Sequence, residues 1–69
     1  MTNEQKQQLF SECFALAEQL RDAQPNTAQY SEAKGAYWAM RKSFKVLGVY
    51  DAYMAYEEAG IKAYIASNK

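Results

Sequence analysis

Residues 33–48 read Ala33-Lys34-Gly35-Ala36-Tyr37-Trp38-Ala39-Met40-Arg41-Lys42-Ser43-Phe44-Lys45-Val46-Leu47-Gly48, and their spacing decides the fold. Wound at about 100° per residue, this stretch sorts into three faces. Ala33, Ala36, Tyr37, Met40, Phe44 and Leu47 share an apolar arc of about 100°, which predicts a core face against a neighbouring helix. Gly35, Ala39, Ser43 and Val46 form a ridge of mostly small side chains, where a third helix or a second copy of the chain can approach closely. The remaining face, within about 80° of arc, interleaves Tyr30 and Trp38 with Lys34, Arg41 and Lys45, with Lys42 at its margin. Gly48 then suits the left-handed stop that glycine adopts without steric cost.

Two further helices follow on either side of this one. Upstream, Thr2 and Gln5 have the spacing of a capping box, so a helix is expected from about residue 3 to residue 22. Leu9, Phe10, Cys13, Phe14, Leu16, Ala17 and Leu20 lie on one side of it, within about 160°. Pro25 disfavours helical geometry in the residue before it, and Asn26 or Thr27 can cap the second helix, expected over about 27–47. So short a connection makes the first two helices antiparallel neighbours. Asp51 is a good N-cap for a third helix over about 51–67, although the segment 46–50 is also compatible with a bend that does not end the helix.

The third helix is apolar over most of its circumference. Tyr53, Tyr56, Gly60, Ala63 and Tyr64 cover one side, Tyr50, Met54, Ile61 and Ile65 the adjoining one, and only Asp51, Glu58 and Lys62 form a clearly polar strip. Two other short helices cannot cover that much surface, so a homo-oligomer or partner interface is expected around Tyr53, Tyr56, Ile61 and Tyr64. The expected fold is all-α, a small three-helix bundle made of an antiparallel hairpin plus a third helix, within one domain spanning residues 1–69.

Size points the same way. A 69-residue chain buries only about 60% of the surface its unfolded form exposes, and is marginal alone. It has one cysteine and no histidine, so neither an internal disulfide nor a structural zinc site is expected to help. Cys13 on the apolar face of the first helix reads as a small core residue. With 49% hydrophobic residues and six tyrosines, the composition is not that of a disordered tail. The polar start and the absence of any apolar run near the roughly 18 residues of a membrane span lead to the expectation of a cytoplasmic protein.

Catalysis by general acid–base or nucleophilic routes needs a group that titrates near neutrality, or a nucleophile beside a base. Glu57 and Glu58 are adjacent in sequence, so they project about 100° apart on a helix and read as a solvated patch. The three glycines stand alone and cradle no phosphate, and no metal-ligand spacing recurs. No enzyme, metal or cofactor is expected.

Charge is segmented along the chain. Residues 1–33, 34–48 and 49–69 carry net charges of −3, +4 and −1. The cations of the middle block are also its aromatic face, so Tyr30, Lys34, Trp38, Arg41 and Lys45 are candidate ligand- or partner-binding residues. Flat rings beside positive charge suit a nucleotide or similar small anion. Long nucleic acid is disfavoured, because the acidic first helix would repel it and the chain as a whole is neutral. Tyrosine, tryptophan, methionine and arginine also concentrate at protein interfaces. The expected activity is therefore non-enzymatic binding to itself and to another protein, as in small accessory or inhibitor proteins of the kind phages encode, with a small anionic ligand as the alternative.

Overall fold

The structure is a computed structural model and describes residues 2–67. Helix α1 spans Asn3–Asp22. Its start is the expected capping box: the Gln5 backbone N–H donates to Thr2 Oγ1 over 3.1 Å, and the Thr2 N–H donates to Gln5 Oε1 over 3.0 Å. Such a cap contributes about 1 kcal/mol to a helix. In the turn, Asn26 takes φ 69°, a left-handed conformation that asparagine tolerates better than most residues. The Thr27 hydroxyl donates to the Gln24 carbonyl and accepts from the Tyr30 N–H, which starts α2, Ala28–Leu47.

Helices two and three are separate. At Gly48 the backbone reaches φ 77°, the Gly48 N–H donates to the Lys45 carbonyl, and the Val49 N–H donates to the Phe44 carbonyl. That pair of bonds is a Schellman closure, which satisfies the carbonyls a helix leaves open at its end. Helix α3 spans Tyr50–Ser67, so it begins one residue before Asp51. Asp51 therefore sits in the first turn, where its charge still favours the positive helix end, and is not the cap.

Ring contacts set the directions. Phe10 near the start of α1 meets Phe44 near the end of α2 at 5.2 Å, so these helices run antiparallel. Phe10 also meets Tyr53, and Phe14 meets Tyr56, so α3 runs parallel to α1 and antiparallel to α2. The core is Phe10, Cys13, Tyr37, Phe44 and Tyr53, with Leu9, Leu16, Leu20, Met40, Val49 and Met54 packed around it. Phe10 makes T-shaped contacts with both Phe44 and Tyr53, an arrangement the ring quadrupole favours. Burying each such side chain contributes about 1.5–3 kcal/mol.

The three-helix all-α architecture matches expectation, but the faces of α2 are used differently. Helix α3 docks on the Tyr37, Arg41 and Phe44 side, tied by a Tyr37–Glu57 bond and the Phe44–Tyr53 ring contact. The small-residue ridge that was expected to receive it, Gly35, Ala39, Ser43 and Val46, is exposed, with Val46 84% accessible. Ala36 and Leu47, expected in the core, are also exposed, Leu47 because the chain reverses at Gly48 before anything covers the last turn of α2.

Helix α3 is covered at its beginning only. From Glu58 onward no described residue is buried, and Gly60 alone is half-buried. At Gly60 the helix still touches α1, since a Cβ there would lie 2.7 Å from the Phe14 ring. Beyond that point the two helices are bridged at the surface, where Arg21 lies 4.2 Å over the Tyr64 ring. The fold is consequently flat, with extents of 34 × 31 × 17 Å. Its radius of gyration is 12.7 Å, against about 11 Å for a compact domain of this length.

Candidate functional site

Three groups of side chains stand out: a buried polar knot, an aromatic-basic recess at the α2–α3 corner, and an apolar seam between the far ends of α1 and α3.

The knot joins α2 to α3. The Tyr37 hydroxyl donates to Glu57 Oε1 across 2.7 Å, with both residues buried. Glu57 is not the solvated residue that its neighbour Glu58 suggests; it is 8% exposed. On the helix it falls between Tyr53 and Tyr64 on one side and Tyr50 and Ile61 on the other, within about 40° of each, and this placement inside an apolar stripe was the available signal. Burial, and then donation to Glu57, push the Tyr37 phenol up to about 12. Arg41 completes the knot, with one guanidinium nitrogen 3.5 Å from the Tyr37 hydroxyl and the other donating to the Tyr50 hydroxyl. Its Nε is buried without an acceptor. Rings surround the guanidinium instead, with centroids at 4.4 Å for Trp38, 5.3 Å for Tyr50 and 5.4 Å for Tyr37.

Beside the knot lies the recess, of about 400 Å³, lined by Trp38, Arg41, Lys42, Lys45 and Tyr50. Lys45 Nζ sits 4.8 Å over the Tyr50 ring, and Trp38 is 53% exposed. Of the five aromatic-basic candidates, Trp38, Arg41 and Lys45 come together here. Tyr30 is half-buried and Lys34 exposed, one to two turns toward the start of α2, and neither lines the recess. Tyr50 and Lys42 take their places. Tyr50 was beyond a single-helix reading, because it arrives from α3 after the reversal at Gly48.

The seam runs between the C-terminal halves of α1 and α3. A cavity of about 410 Å³ there is lined by Phe14, Ala17, Glu18, Arg21, Glu57, Ile61, Tyr64 and Ile65. Ile61, Tyr64 and Ile65 are each about half exposed, at 48%, 45% and 52%. Arg21 lies 4.2 Å over the Tyr64 ring and pairs with Asp22 and, at 3.9 Å, with Glu18. Of the expected interface residues, Ile61 and Tyr64 therefore line an open apolar seam. Tyr56 is half-buried against Phe10 and Phe14. Tyr53 is fully buried among Phe10, Phe44 and Tyr56 and presents nothing to a partner in this fold. Phe14 and Ile65 join the seam from outside the expected set.

Cys13 is fully buried, and burial pushes its thiol up, away from the thiolate a nucleophile needs. The described residues hold no group of three or more His, Cys, Asp or Glu placed to bind a metal ion, and no described helix is long and apolar enough to cross a membrane. Comparison with protein-family models, with curated proteins and with solved structures finds no match to this chain.

Proposed function

We propose that this chain is a non-enzymatic protein-binding module, and that the first protein it binds is a second copy of itself, through the α1–α3 seam. The observation that carries this is the uncovered end of α3, where Ile61, Tyr64 and Ile65 stand about half exposed over an apolar cavity. The chain exposes 5046 Å², whereas a monomer of this mass typically exposes about 4,400 Å². The excess is of the order one partner covers in a small interface.

A second copy suits the surface better than a strongly charged partner does. The charges around the seam are largely paired, Arg21 with Glu18 and Asp22 and Lys62 with Glu58 at 3.1 Å, which leaves these five side chains with a net charge of −1. So small a net charge repels an identical chain only weakly in salt. In a two-fold arrangement, the projecting Ile61 and Ile65 of each copy fill the cavity of the other, because the same patch supplies both the projection and the recess.

Sedimentation equilibrium tests the proposal. The expected result is a mass that rises with concentration toward twice the chain mass. Ile61→Asp and Ile65→Asp, placed where the lone fold is already wet, should remain helical and become monomeric, because each would bury an unpaired carboxylate in the interface. Monomeric wild-type chain at high concentration, or folded variants of unchanged mass, would overturn it; in the former case the seam would belong to a different protein.

A further inference from the structure

The recess at the α2–α3 corner lies at the opposite end of α3 from the seam, and it has its own chemistry. Three cations, Arg41, Lys42 and Lys45, and two rings, Trp38 and Tyr50, line it, with no carboxylate among them. Neither Lys42 nor Lys45 forms an ion pair within the described residues. Asp51, the residue after Tyr50, lines a different recess with Met54 and Ala55. The local charge is thus uncompensated, although the whole chain is neutral.

The rings and cations are also held in place before any ligand arrives. Arg41 is clamped by the Tyr50 hydroxyl and stacked 4.4 Å over Trp38. The Trp38 ring is in turn held edge-on by Tyr37 at 5.6 Å. A pre-ordered site loses less entropy when it binds. Its volume of about 400 Å³ falls within the range of small-molecule pockets and would be overfilled by a duplex.

We infer that this recess binds a mononucleotide, with the base stacked on Trp38 and the phosphate held by Lys42 and Lys45 beside Arg41. The two halves of the ligand answer to different residues. Stacking on an aromatic ring is indifferent to which base is presented, so base selectivity should be weak, whereas the two lysines demand the phosphate.

The test is titration of the chain with AMP, adenosine and inorganic phosphate. It can be followed by fluorescence of Trp38, the one tryptophan in the chain, and by amide chemical shifts. AMP should quench Trp38 and shift amides around residues 38–50, and adenosine and phosphate should each bind at least about tenfold more weakly, the loss expected for one stacked base or its charge-assisted counterpart. In a Lys42→Gln/Lys45→Gln double variant, whose exposed side chains carry no fold contacts comparable to those of Arg41, the preference for AMP over adenosine should fall to near one with the helical signal unchanged. Equal binding of AMP and adenosine to the wild-type chain, a preference that survives in the double variant, or no response to millimolar AMP would each overturn the assignment.

Discussion

The Tyr37 hydroxyl donates to the buried carboxyl of Glu57 over 2.7 Å, joining the middle of α2 to the middle of α3. This bond carries more than its own strength, because beyond its first two turns α3 is no longer buried, and meets α1 at the contact of Phe14 with Gly60 and at the exposed stacking of Arg21 on Tyr64. Removing the hydroxyl leaves Glu57 in place without its donor. Tyr37→Phe should therefore lower the unfolding free energy by about 1.5–3 kcal/mol, the range for hydrogen bonds to charged groups. Urea unfolding followed by circular dichroism measures it. Adding Glu57→Gln in a double-mutant cycle should recover part of the loss, and a loss under about 0.5 kcal/mol would show that the bond contributes little.

Tyr53 should behave in the opposite way. Its ring is fully buried and its hydroxyl has no oxygen or nitrogen partner among the described residues, with the weakly bonding Cys13 thiol beside it. Tyr53→Phe keeps the ring packing and removes a buried polar group that is unsatisfied. The variant is expected to be about 1 kcal/mol more stable than the wild-type chain in the same urea experiment. A clear destabilisation would mean that the hydroxyl does have a partner.

Alkaline pH should weaken the fold. The Tyr37 phenol is raised from an ordinary value of 10.0 to about 12, by burial first and by donation to Glu57 second. Tyr53 is raised as well, again chiefly by burial. Both groups keep their protons in the folded chain at pH values where the unfolded chain has lost them. The contribution of Tyr37 is thus fully present below pH 10 and is lost as pH rises from 10 through 12, and that of Tyr53 falls over the same window and beyond it. Thermal melts across that window should show a falling midpoint, and Tyr37→Phe should flatten the fall. A midpoint independent of pH there would contradict the burial of both phenols.

The corner between α2 and α3 depends on Gly48. A Cβ at this position meets nothing within 4 Å, so a substitution is opposed by the backbone alone, at φ 77°. Gly48→Ala should cost about 1–2 kcal/mol, the left-handed penalty of an L-residue. The same variant should loosen the aromatic-basic recess, because Tyr50 is positioned by this turn. Amide hydrogen exchange of Tyr50 and Tyr53 would report it, and unchanged protection would separate the turn from the recess.

What was legible in the sequence was local. Thr2 with Gln5, Thr27 with the Tyr30 amide, and Gly48 with its left-handed backbone end the helices through bonds that span three to five residues, so the order of residues nearly suffices to place them. The burial of Phe10, Cys13, Tyr37 and Phe44 also follows from helical spacing, since each sits near the middle of an apolar arc. Tertiary structure decided which remaining faces are covered. Whether α3 returns over Arg41 or over the ridge at Ala39 depends on how one helix is rotated and shifted against two others, and side-chain periodicity leaves both available. That choice buried Glu57 and Tyr53, brought Tyr50 to Trp38, left Val46 and Leu47 wet, and opened the seam at Ile61. Caps are settled between near neighbours along the chain; helix packing is settled by side chains such as Tyr37 and Glu57, 20 residues apart, which meet only after the whole chain has folded.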